Sequence, residues 1–157
     1  MNSNYERLIA LADEVFAVRN DPEQLDVNEE VINRLQAIHP ATLSDLDFGD
    51  GPILWVLLIP TTEATRKQFL KKEINEKQLF EQTLPGQAYE AIYLCSALVL
   101  KEYRKKGYAK KIAISAIKEI QKSNAIKCLF YWPFTIEGKY AAEAIASDLN
   151  LPLIERK

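Results

Sequence analysis

The segment Ile53-Leu-Trp-Val-Leu-Leu-Ile59 constrains the fold more than any other part of the chain. It is an unbroken apolar run with Pro52 before it and Pro60 after it. A half-exposed strand would alternate apolar and polar residues, and a surface helix would space its apolar residues by three and four. A continuous run of this length suits a strand covered on both faces. Ala91–Leu100 and Cys128–Phe134 read the same way. Such strands need helices packed against them, so the expectation is one α/β (α+β) domain over residues 1–157. Apolar residues make up 48% of the chain, enough for a real core and too many for disorder.

The helices are signalled between these runs. Ser3 and Glu6 have capping-box spacing, and Tyr5, Leu8, Ile9, Ala12, Val15 and Phe16 fall on one stripe. Asp21-Pro22 ends that helix. A second helix is expected from Asn28 to Ile38, stopped by Pro40, and Phe48-Gly-Asp-Gly-Pro52 reads as a turn. Thr62–Gln82 is rich in Lys, Glu and Gln, with a thin apolar stripe of Phe69, Leu70, Ile74, Leu79 and Phe80. It reads as one solvated helix, inserted at the sheet edge, poor in core area and placed to act as a lid. Tyr108–Gln121 and Glu137–Leu149 are amphipathic helices, and Leu151–Glu155 a short last strand. Tyr131, Trp132 and Phe134 are expected to pack the sheet.

Charge is unevenly spread. Residues 1–63 hold 12 acids against 3 bases, net −9, and residues 64–157 hold 10 acids against 17 bases, net +7. The basic half suits an anionic ligand, whereas a chain of net charge −2 lacks the profile of a nucleic-acid binder. Ala91–Leu100, the longest apolar run, is about half of what a bilayer crossing needs. Met1-Asn-Ser-Asn4 does not read as a signal peptide, so the expected location is cytoplasmic, with no membrane partner. Cys95 and Cys128 lie in apolar runs and read as buried, reduced thiols. The one histidine, His39, stands before Pro40 without a neighbouring ligand pair, which speaks against a metal site.

The stretch that points to chemistry is Ala97-Leu-Val-Leu-Lys-Glu-Tyr-Arg-Lys-Lys-Gly-Tyr-Ala-Lys-Lys111. It leads from a buried strand, through a basic turn with one glycine, directly into a helix. Residues 101–111 carry six bases and one acid. The first N–H groups of a helix have no intrahelical partner and sit at the positive end of its dipole. A pyrophosphate would fit such a turn.

Arg104-Lys-Lys-Gly-Tyr-Ala109 resembles the Arg/Gln-x-x-Gly-x-Gly/Ala signature of the GNAT acetyltransferase superfamily, and Val99 and Glu102-Tyr103 resemble its lead-in. The resemblance is best over residues 89–149. It implies a GNAT-like acyl-CoA N-acyltransferase fold, a mixed sheet flanked by helices. It further implies that Leu98, Val99 and Leu100 offer backbone groups to the pantetheine arm of acetyl-CoA. Amides across Arg104, Lys105, Lys106, Gly107, Tyr108 and Ala109 would hold the pyrophosphate. The chain differs from the family in the charged segment at 62–82, in Lys101 near a common proline, and in lacking the family's C-terminal hairpin.

Acetyl transfer to an amine needs a base, a polarised carbonyl and a proton for the departing thiolate. Glu90, just before the central strand, is the candidate base. Tyr140 is near where the family often places a proton-donating tyrosine. Two readings follow: an N-acetyltransferase using acetyl-CoA as co-substrate and an amine acceptor, or a catalytically inactive domain binding acyl-CoA or a protein partner. A plain interaction domain is the third. The acidic N-terminal half hints at a cationic amine, and a homodimer is left open.

Overall fold

The computed structural model describes residues 3–19, 28–133 and 135–157, with the side chains of 15–19 outside the description. The helix break at Asp21-Pro22, the side chains of Val15 and Phe16, and Phe134 therefore lie outside the described residues. The elements run α1 (Asn4–Arg19), α2 (Glu29–Ile38), β1 (Leu43–Asp47), β2 (Pro52–Thr61), α3 (Glu63–Leu70), α4 (Glu76–Gln82), β3 (Ala91–Val99), α5 (Tyr108–Gln121), β4 (Cys128–Tyr131), α6 (Ile136–Leu149) and β5 (Leu153–Glu155). Short 3-10 turns occupy Pro40–Thr42 and Lys101–Tyr103. Together they form an α/β structure built on one five-stranded mixed sheet in the order β1-β2-β3-β4-β5. The first two pairings are antiparallel, and the β3–β4 and β4–β5 pairings are parallel. Among the described residues no helix is long and apolar enough to cross a membrane.

Both faces of the central strands are covered, as the unbroken apolar runs require. Leu57, Ile59, Tyr93 and Phe130 face α2, α3 and α4, packing on Leu35, Phe69, Leu79 and Phe80. Leu54, Val56, Leu58, Ile92 and Leu129 face α5 and α6, packing on Ala113, Ala116, Ile117, Ile120, Ile145 and Ala146. α1 closes the remaining end of the first face through Leu8, which meets Trp55 and Leu100.

The register of β2 with β3 skips one residue. Leu57 opposes Ser96 and Leu58 opposes Leu94, which leaves Cys95 as the extra residue of a β-bulge. A bulge reverses the alternation, so Tyr93 and Leu98 lie on one face while Leu94 and Val99 lie on the other.

The structure corrects several expectations. β1 has no counterpart among the expected elements, yet it pairs with β2 from Leu43↔Leu57 to Leu46↔Leu54. Thr62–Gln82 is two helices, not one. The chain turns at Lys72, whose φ is +65°, and restarts at Asn75, whose side chain forms a capping box with Gln78. The segment is not a thin-striped insertion at an edge either: Phe69, Ile74, Leu79 and Phe80 are at most 7% exposed, in the core beneath β2 and β3. Lastly, β4 ends at Tyr131 and β5 begins at Leu153, so both are shorter than expected.

Candidate functional site

β3 pairs with β4 only from Ala91↔Cys128 to Tyr93↔Phe130. Beyond Tyr93, β3 runs on to Val99 while β4 stops at Tyr131. Between them lies a cleft of about 360 Å³. Its walls are Val56, Leu57, Leu58, Leu94, Cys95, Ser96 and Ala97 on the sheet, Ala109, Lys110 and Ala113 on α5, Tyr131 at the end of β4, and Trp132 and Pro133 just after it. Thr135, the N-cap of α6, and Glu137, Gly138, Ala141, Ala142 and Ile145 of that helix complete it. Small residues on the facing sides of α5 and α6 leave the room that larger ones would fill.

The open side of β3 offers backbone groups to this cleft. The Leu100 amide donates to Ile53 O at 2.9 Å, which fixes the alternation of the ladder. By that alternation Leu98 turns its backbone groups toward β2, and Ala97 and Val99 turn theirs toward the cleft. Of the three residues expected to serve an arm, Val99 has the matching orientation, but its carbonyl accepts from Arg104 Nε at 2.9 Å. Ala97, which sequence reasoning did not single out, has the same orientation.

The basic turn begins where β3 ends. Arg104 is extended, and Lys105 and Gly107 both take left-handed backbone, at φ +64° and +78°. Gly107 is the N-cap of α5 and supplies no side-chain cap, whereas Ser3, Asn28, Thr62, Asn75 and Thr135 each accept an amide at the start of their helices. Lys111 N bonds back to Gly107 O at 3.2 Å. The amides of Tyr108, Ala109 and Lys110 are thus the helix's orphan donors, at the positive end of its dipole and beside the cleft.

Neighbouring elements hold this turn. Glu102, the one acid among residues 101–111, accepts from Arg7 of α1 at 2.7 and 2.9 Å. The Arg7 guanidinium holds the Glu102 carboxyl below its ordinary range. Phe48, at the end of the β1–β2 hairpin, meets Tyr103 at 6.0 Å and Tyr108 at 5.7 Å. Lys110 pairs with Asp148 of α6 at 3.0 Å. Arg7, Phe48 and Asp148 are far from the turn in sequence, so no local pattern marks them.

The two catalytic candidates lie elsewhere. Glu90 stands at the closed end of β3, where its amide donates to Thr61 O and its carbonyl accepts from Lys127 N. Its carboxylate pairs with Lys127 Nζ at 3.0 Å and raises that lysine's pKa. Tyr140 is 65% exposed and off the α6 stripe of Gly138, Ala141, Ala142 and Ile145 that lines the cleft. Tyr131, expected to pack the sheet, is buried at the end of β4 and also lines the cleft. Burial and a 3.0 Å hydrogen bond to Glu155 push its hydroxyl up to about 12, so it is protonated at neutral pH. Trp132 also lines the cleft rather than only packing the sheet.

Cys128 is buried; Cys95 is only partly buried, packing on the core beside Tyr93 while also lining the cleft; neither is in a disulfide. His39 is structural: its Nδ1 accepts from Ala41 N at 3.0 Å. Among the described residues no cluster of three His, Cys, Asp or Glu side chains gathers as a metal site would. A scan against protein-family models, a search of curated proteins and a search of solved structures each return no match to this chain.

Proposed function

We propose that this chain is a GNAT-type acyl-CoA protein, which binds acetyl-CoA in the cleft between β3 and β4 and presents its acetyl group to an amine. The observation that carries the reading is the departure of β4 from β3 beyond Tyr93, which leaves a largely apolar slot leading from an open strand edge to the uncapped start of α5. A CoA thioester joins a polyanionic end to an extended arm containing two amides. The amides of Tyr108, Ala109 and Lys110, with the cations of the turn, suit the pyrophosphate. The outward backbone groups of Ala97 and the outward amide of Val99 suit the arm, and the apolar walls around Leu58 and Leu94 suit the thioester end.

Glu90 and Tyr140 are not assigned catalytic roles, since neither borders the cleft. That observation favours a second reading, binding of the thioester without transfer. Calorimetric titration with acetyl-CoA and desulfo-CoA tests the shared claim, with micromolar binding expected. No heat and no saturation with either ligand would reject it. Release of free CoA on addition of an amine panel, read with a thiol reagent, then separates transfer from binding alone.

A further inference from the structure

Arg156, just after β5, is 6% exposed and lies on the sheet face covered by α3 and α4. Its Nε donates to Phe69 O at 3.1 Å and its Nη2 to Ile74 O at 3.3 Å. The guanidinium carbon stands 4.5 Å from the centre of the Phe69 ring and 4.2 Å from that of Trp132. Phe69 itself meets Trp132 edge-on at 6.2 Å. A planar group with two fixed acceptors and two aromatic contacts has very little freedom. The residue that carries this indole, Trp132, lines the cleft.

The position of that wall matters. β3 and β4 separate just beyond the Tyr93↔Phe130 pair, so Trp132 stands at the narrow end of the cleft. An extended ligand anchored at the basic turn and running back along β3 from Val99 to Cys95 covers about 13 Å before it reaches this end. We propose that Arg156 is a positioning residue that clamps Trp132 as the end wall of the cleft, and that this wall limits the length of the acyl chain accepted. The second half rests on the thioester reading above; the first does not.

The test uses the full chain carrying Trp55→Phe, which leaves Trp132 as the only tryptophan. In that background Arg156→Met should shift Trp132 emission to the red and raise its quenching by acrylamide severalfold, and Arg156→Lys, which keeps the charge but loses the planar fork, should raise quenching to a lesser degree. Hexanoyl-CoA and acetyl-CoA are then titrated against each folded variant. Arg156→Met should raise the hexanoyl-to-acetyl affinity ratio about tenfold, the worth of roughly two buried methylenes.

Unchanged emission and quenching in a cooperatively melting Arg156→Met chain overturns the clamp. Increased quenching with an unchanged affinity ratio overturns the length limit. If Arg156→Met does not melt cooperatively, Arg156→Lys decides the clamp, unchanged quenching in it overturning the clamp, and Trp132→Leu decides the length limit by the same affinity ratio. If neither thioester binds the Trp55→Phe chain, the thioester reading and the length limit fail together, and quenching alone decides the clamp.

Discussion

Gly107 holds φ +78° at the start of α5, and a Cβ built there would meet nothing within 4 Å. Glycine is therefore favoured here by the left-handed backbone, which Lys105 also adopts, and not by crowding within the protein. Gly107→Ala should cost about 1–2 kcal/mol from the φ penalty alone, measured by urea unfolding. Gly107→Glu adds a carboxylate beside the orphan amides and should weaken CoA binding by about tenfold or more while the chain stays folded. Calorimetry showing unchanged affinity in a folded variant would remove the turn from the site. The motif and its glycine are legible in sequence because strand, turn and helix are contiguous. The pairing of Glu102 with Arg7 is not, because the two meet only through the fold.

His39 makes a second prediction at this scale. Burial pushes its pKa below 6.5, and its Nδ1 must stay unprotonated to accept the Ala41 amide. A depressed folded-state value means that the histidine's contribution is fully present above pH 6.5. It is lost as pH falls through the folded value. It is the only histidine in the chain, so stability should decline between pH 7 and pH 5.5 and this slope should flatten in His39→Asn, which keeps a capping side chain. Denaturant midpoints at the two pH values check it. An equal decline in both proteins would assign the slope to other groups.

Among the elements, α5 follows directly from its pattern: the periodicity of Ile112, Ala113, Ala116, Ile117 and Ile120 predicts Tyr108–Gln121, and the structure gives the same bounds. β1 was hidden for a physical reason. Leu43-Ser-Asp-Leu-Asp47 is a short, half-polar edge strand, paired on one side only, and its alternation is too brief to stand apart from a loop. The break between α3 and α4 did leave a mark, since Asn75-x-x-Gln78 has cap spacing, but the surrounding lysines and glutamates propagate a helix as well as they flank one. Their abundance also masked how deeply Phe69 and Leu79 sit. Phe69→Ala should therefore destabilise the chain by about 3–5 kcal/mol, far more than a lid would. Hydrogen exchange should find amides of 63–70 and 76–82 protected to a degree comparable with 91–99 without any ligand. Rapid exchange there would restore the view of a loosely held lid.

On the scale of the molecule, the unbroken apolar runs made the two-sided sheet legible, and the basic turn made the uncapped start of α5 legible. The cleft was not, because it arises from a difference in length: β3 continues to Val99, while β4, expected to reach Phe134, ends at Tyr131. Nor could sequence show that Glu90 belongs to the closed end of the same strand that opens at Cys95. The account stands on one claim, that an acyl-CoA lies along the open side of β3 with its pyrophosphate at the start of α5. The most direct measurement is amide chemical-shift mapping of the uniformly labelled chain during titration with acetyl-CoA. The expected result is saturable shifts at Ala97, Val99, Lys105, Gly107, Tyr108, Ala109, Lys110 and Gly138, with Glu90 and Tyr140 little changed. No saturable shifts, or shifts centred away from β3 and the start of α5, would contradict it.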